Sequence, residues 1–365
     1  MFTVAVFITI WLLMLPSSAR TTQRSTTPNE SSPSNVTTGV NHKLYPRVRV
    51  GGTSGPGGTA GIEDLFLIDA ESRCDSHMAT LNAWVQEAAI LHTAVEHAYH
   101  HAIGYQPYML HWEAYFGVQW DYEKKIFREE DEEINEKIWK DVQDHIDRVT
   151  QFLAGGGLKE PQETSTKPRL FCSGDAFEVQ DGSRALREKD GKDIVTAYDE
   201  TTGLPTEYLT VDEAFSRQRD QGANIFWVPA FKGYDISKKS SLCPPPENGK
   251  VVLGRTARRT SSGAYTYYNK DGFSLEYKLG MANRHMILCP AAFTTTEGHS
   301  VDSLSETIGG LYPSRFGSEG LSKSIDRMLT RGSTFYHELY HLTDNDHTLG
   351  TDERKPEYCK YFLSL

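Results

Sequence analysis

The sequence is short of positive charge: 38 Lys and Arg stand against 49 Asp and Glu, a formal net charge of −11 over 365 residues. That balance disfavours nucleic acid or an anionic membrane as a partner, because bulk attraction has the wrong sign. No Cys-x-x-Cys pair occurs among Cys74, Cys172, Cys243, Cys289 and Cys359. Neither a cysteine-based zinc site nor a dithiol redox site is therefore expected. The 5 cysteines are an odd number, so at least one is left over or pairs between chains. Beyond the first 15 residues no apolar run approaches the roughly 20 residues of a membrane-spanning helix. Internal repeats are absent. The glycine-rich stretch at 55–58 lacks the strand, helix and lysine of a phosphate loop.

The one apolar run, residues 2–15, is broken by Pro16, and Ser17 and Ala19 then supply small side chains for a cut after Ala19. Residues 1–19 thus read as a secretory signal peptide, which makes the mature protein secreted and extracellular, with no membrane contact after cleavage. An oxidising compartment favours disulfides. Residues 20–62 are rich in Ser, Thr, Pro and Gly and nearly free of aromatics, so they bury too little surface to offset chain entropy. They read as a disordered linker or propeptide, and they carry two glycosylation sequons, at Asn29 and Asn35.

Ordered chain is expected from about residue 63. Met78, Leu81, Trp84, Val85, Ala88, Leu91, Val95 and Ala98 recur at helical steps, with Asp75 or Ser76 as N-cap and Gly104 as stop. A second helix is predicted over 131–153, with acids at its front to suit the helix dipole and Gly155, Gly156 and Gly157 at its end. These make residues 63–160 a helical N-terminal region. From about 165 the elements shorten. Residues 224–231, 250–255 and 285–290 look like strands, and 262–278 like a hairpin turning at Asn269-Lys270-Asp271-Gly272. Helical spacing returns at Leu321, Ile325, Met328 and Leu329; Arg331-Gly332 interrupts it, and Ser333 or Thr334 is a fresh N-cap.

The helix after that break carries His337-Glu338-x-x-His341. Residues four apart share a helix face, so both imidazoles can reach one Zn2+ ion. Glu338 is rotated off that face and suits the general base that takes a proton from a zinc-bound water. His97 and His101 are also four apart, but Ala98 follows His97 where the motif has Glu, and surface histidines on a helix are the simpler account.

A catalytic zinc takes three protein ligands, and three candidates for the third compete. His347 completes the metzincin spacing H-E-x-x-H-x-x-G-x-x-H, but Asp344 stands at its glycine and no Met follows Met328 to make a methionine turn. Asp352 lies in Gly350-Thr351-Asp352-Glu353; H-E-x-x-H followed by Gly-Thr-x-Asp resembles the aspzincins, the deuterolysin-like and lysine-specific metallo-endopeptidases secreted by fungi. In that family an Asp of the segment is the third ligand, although strict register puts Glu353 there. Asp346 is the remaining candidate, if Asp346 to Gly350 is matched to the family's D-x-x-Y-G with Leu349 in place of Tyr. The order of preference is Asp352, His347, Asp346. Ile287 to Phe293 also resembles the family's strand and Cys-Pro element ahead of the zinc helix.

The resemblance implies an α+β fold, a mainly helical zincin-like metallopeptidase with a small antiparallel β subdomain, its catalytic domain within 165–365. It implies a secreted zinc endopeptidase acting on protein or peptide substrates, with His337, His341 and Asp352 as metal ligands and Glu338 as catalytic base. Family members carry more chain beyond the zinc helix and a Tyr-Gly that is missing here. That departure points to a truncated or degenerate copy. It keeps open the alternative of a non-catalytic secreted effector, zinc-binding or interaction protein on the same scaffold.

Overall fold

The computed structural model describes residues 60–103, 105–158, 167–247, 251–257, 263–268, 272, 274–294 and 330–344. The expected signal peptide, nearly all of the Ser/Thr/Pro/Gly-rich segment, the helix through Leu321, Cys359 and the candidate ligands Asp346, His347 and Asp352 lie outside these residues.

Three long helices come first: α1 (Met78–His100), α2 (Gln106–Phe116) and α3 (Glu132–Gln151). The first does not begin on a side-chain cap at Asp75 or Ser76. A 3-10 turn, Asp75–His77, leads into it instead, anchored at its front by the Cys74–Cys172 disulfide. Helix α3 runs nearly over its predicted span and ends in a π-helical turn, Phe152–Gly156, within which Gly155 adopts φ 82°. A side chain is strained at that angle and glycine is not, which explains the run of glycines. Aromatic rings fill the space between the helices. Tyr99 and Trp139 stack at 4.1 Å, while Trp112 and Trp120 meet Trp139 edge-on at 5.3 and 5.5 Å.

The strands are short. The pair β1 (Trp120–Asp121) and β2 (Ile126–Phe127) closes the loop between α2 and α3. After β3 (Arg169–Phe171) come β4 (Glu178–Val179), the pair β5 (Val195–Tyr198) and β6 (Pro205–Tyr208), then β7 (Asn224–Val228) and β8 (Gly233–Ser237). The chain continues through β9 (Gly254–Ala257), the hairpin β10 (Gly263–Tyr268) and β11 (Ser274–Leu279), and β12 (His285–Leu288). The hairpin is where the alternation of residues predicts it, with Tyr265 opposite Tyr277. The strand predicted over 250–255 begins later, at Gly254, where pairing to Leu288 starts.

Two three-stranded sheets carry the centre, ordered β3-β12-β9 and β4-β7-β8. In the first, β12 runs parallel to β3 and antiparallel to β9. Side chains alternate across a strand, and β12 uses both faces. Met286 and Leu288 enter the helical core, while Ile287 joins Phe171, Phe226 and Val228 towards the second sheet. The last described helix, α4 (Gly332–Thr343), lies on the helical side, and its Phe335, Tyr336, Leu339 and Leu342 share one core with α1 and α3. The helices of 63–160 are therefore packed directly on the helix that carries the motif.

Among the described residues two disulfides are formed, Cys74–Cys172 and Cys243–Cys289. The first joins residues 98 apart in sequence. In the chain-entropy account a closed loop of that length stabilises by roughly 4–5 kcal/mol. The double variant Cys74→Ala/Cys172→Ala is expected to lose about 2–5 kcal/mol in urea unfolding, and an unchanged midpoint would show that the helical core holds the start of α1 unaided.

Candidate metal centre

Helix α4 shows why the motif faces where it does. Phe335, Tyr336, Leu339, Tyr340, Leu342 and Thr343 are buried, and Thr334, His337, His341 and Asp344 make the one half-buried stripe, spaced at three, four and three residues. Helical periodicity thus separates the two histidines from the apolar residues between them. Its start is fixed by Thr330 and Ser333: the Thr330 N–H donates to Ser333 Oγ at 3.2 Å, and the Ser333 N–H to the Thr330 carbonyl at 3.1 Å. The helix begins at Gly332 rather than after Ser333 or Thr334, because Thr330 completes this reciprocal pair one turn earlier.

His337 Nε2 and His341 Nε2 are 3.0 Å apart, with the rings nearly perpendicular at 82°. Two zinc ligands at about 2.0–2.1 Å in a tetrahedron stand about 3.3 Å apart, so the pair needs only a few tenths of an ångström of adjustment to share one ion. Burial, and next the neighbouring His341, lower the His337 imidazole to about 3. It is thus neutral, the form in which imidazole ligates. Among the described residues no cluster of three His, Cys, Asp or Glu forms. Two imidazoles at this spacing could supply two of an ion's ligands.

Glu338 is 6% exposed and turns from the histidine stripe towards β9. The Thr256 hydroxyl lies 2.7 Å from its Oε2 and 3.2 Å from its backbone carbonyl. Burial raises the Glu338 carboxyl to about 7, against the lowering pull of the Thr256 hydrogen bond and of Arg255. Sequence reasoning found Glu338 and missed Thr256, which sits in β9 far from the motif in sequence and carries no pattern of its own.

The far end of α4 is tied down as well. The buried Arg284 donates to the Leu342 carbonyl at 3.0 Å, placing a cation at the negative end of the helix. Asp344 Oδ1 meets Arg148 Nη1 at 3.2 Å and His145 Nδ1 at 3.5 Å. Asp344 itself is extended, at φ −68° and ψ 122°. The tight left-handed turn for which a metzincin keeps glycine at this position is not made here.

Behind the helix a chain of buried polar groups runs from α3 through α1 to α4. His92 Nε2 is 2.8 Å from Thr150 Oγ1 and its Nδ1 3.0 Å from the Tyr336 hydroxyl, which is 3.0 Å from that of Tyr340. Thr150 in turn donates to Glu96 at 2.5 Å. At the end of α1, the ring centroids of His97 and His101 are 4.2 Å apart.

No protein-family profile matches the chain, and no solved structure matches it significantly. The non-secreted LysM effector LysM17 of Penicillium expansum is 38% identical over 133 residues, which is 35% of this chain and 17% of that protein. The match thus spans under a fifth of that relative's length.

Burial depresses the His92 imidazole to about 3, whereas a free histidine ionises near 6.5. The unfolded chain binds the extra proton between those values, so this share of stability is complete above about pH 6.5 and is lost as pH falls towards about 3. Urea midpoints measured across that window are expected to fall, and His92→Gln to flatten the fall while costing about 1–3 kcal/mol at pH 7. A parallel slope in the variant would assign the acid sensitivity to other groups.

Proposed function

We propose that the protein is a secreted zinc-dependent endopeptidase with His337 and His341 as metal ligands and Glu338 as general base. The observation that carries this reading is the convergence of His337 Nε2 and His341 Nε2 to 3.0 Å on a helix whose Glu338 is buried. Neutral imidazoles suit zinc, and a glutamate one residue past the first ligand suits the proton transfer. Bound there, zinc would supply Lewis acidity, polarising a peptide carbonyl and acidifying water. The chain's own part is to hold the ion by the two imidazoles, to take the proton of the attacking water on Glu338, and to pass it to the leaving amine. Asp352 is the third ligand in this reading, with His347 second. Asp344, at the position of the metzincin glycine, is extended and paired to Arg148, which supports ranking His347 behind Asp352.

Two disulfides and the leader-like residues 1–19 support secretion. The aspzincin resemblance enters as support for the reaction class alone.

One observation favours the second reading, a non-catalytic effector that binds zinc or a partner: the partial relative from Penicillium expansum bears an effector name. Metal analysis of the purified protein, with a casein-type assay of wild type and Glu338→Gln, separates the two. About one zinc per chain in both proteins, with hydrolysis lowered at least ~100-fold in Glu338→Gln, is the expected result. Zinc in both without hydrolysis in either would favour the effector, and no zinc in wild type would overturn the metal site.

A further inference from the structure

We infer that strand β9 is the positioning element for Glu338, through a cradle made by Gly254 and Thr256. The inference rests on the reading of Glu338 as general base and adds how that base is aimed.

The two residues share one face of the strand, as i and i+2 positions do, while Arg255 points to the other. The pairing of β9 with β12 fixes their register: Gly254 lies opposite Leu288 and Thr256 opposite Met286, both of which enter the core beneath α4. Each residue constrains Glu338 differently. At Gly254 a Cβ would stand 2.9 Å from Glu338 Cγ, 3.3 Å from its Cδ and 3.1 Å from Thr334 Cγ2. The strand therefore touches the Glu338 side chain along its stem, and only glycine leaves the stem where it is. Gly254 has no positive φ, so its requirement is space rather than backbone conformation. Thr256 then fixes the tip. Its hydroxyl is the hydrogen-bond donor to Oε2, and it also reaches the Glu338 carbonyl, so one side chain ties the carboxylate to the backbone of its own residue. Among the described residues Thr256 is the donor to Glu338 Oε2.

A glutamate side chain has three torsions. With the stem pressed on Gly254 and one oxygen held by Thr256, the direction of the second oxygen is set. A merely structural threonine would satisfy a buried carboxylate without affecting turnover. A positioning threonine acts on the proton-transfer step, because a displacement of about 1 Å at a reacting group can cost on the order of 100-fold in rate.

The test uses the full zinc-loaded protein and Thr256→Val, Thr256→Ser and Gly254→Ala. Thr256→Val is expected to lower kcat about ten- to a hundredfold with KM within about twofold and zinc content unchanged, and Thr256→Ser to restore kcat to within about threefold of wild type. Gly254→Ala, whose added methyl meets the stem, is expected to lower kcat in the same range. Crystal structures of wild type and Thr256→Val supply a readout independent of turnover: the Glu338 carboxylate is expected to leave its wild-type position in Thr256→Val and to keep it in Thr256→Ser. If the wild type hydrolyses nothing, the general-base reading fails, and the cradle stands or falls on these structures alone. An unmoved carboxylate in Thr256→Val, or kcat within twofold of wild type in both Thr256→Val and Gly254→Ala, would overturn it.

Discussion

The structure depends on how α4 is prevented from turning about its own axis. A helix with two histidines four residues apart can present them in any direction until something fixes its rotation. Here Phe335 and Leu339 supply the apolar grip on the helical core, and they would tolerate some sliding. The polar groups set the angle. Tyr336 and Tyr340, each one residue ahead of a histidine, are locked to His92, and a buried hydrogen bond has a direction that an apolar contact lacks. Once both hydroxyls face α1, His337 and His341 must face away from it, and Glu338 must face β9. The half-buried histidine stripe and the buried Glu338 are thus oriented by hydrogen bonds made elsewhere on the helix. An unsatisfied buried donor or acceptor is costly, which makes this angle hard to change by degrees.

The short β3-β12-β9 sheet is the second constraint. Its parallel strand β3 is tied to the start of α1 through Cys74–Cys172, and its antiparallel strand β9 lies against Glu338. Helical layer, sheet and second sheet are stacked so that β12 contributes to two cores at once. The order in space differs from that in sequence: α1, the long helix farthest from the motif helix along the chain, packs directly against it.

Periodicity made much of this legible in advance. The apolar stripes of α1 and α3, the hairpin with Tyr265 opposite Tyr277, and the buried run at 285–288 are local patterns, and each folds where its pattern lies. The pair His337 and His341 and the neighbouring Glu338 were legible for the same reason, since a helix fixes their relation within one turn. Long-range partners were not. Thr256 is a single hydroxyl in a four-residue strand, and nothing in its neighbours says that it will meet residue 338. The joint core of 63–160 and α4 was equally hidden, because the stripe on α1 announces that it is covered and not by what. Element starts also shifted: before α1 a 3-10 turn anchored by the disulfide stands in place of a side-chain cap, and before α4 the local pair of Thr330 and Ser333 starts the helix earlier than the sequence suggested.

The Cys74–Cys172 bridge bears on how such a chain is processed. A peptide bond cut anywhere between these residues leaves one covalent molecule, with β3 still attached to the start of α1. Among the described residues, a cut on the amino side of Cys74 meets no such bridge. A break between Cys74 and Cys172 is held closed by a covalent bond, whereas the segment just ahead of Cys74 is held by packing, with Ile62, Leu65 and Phe66 in the helical core.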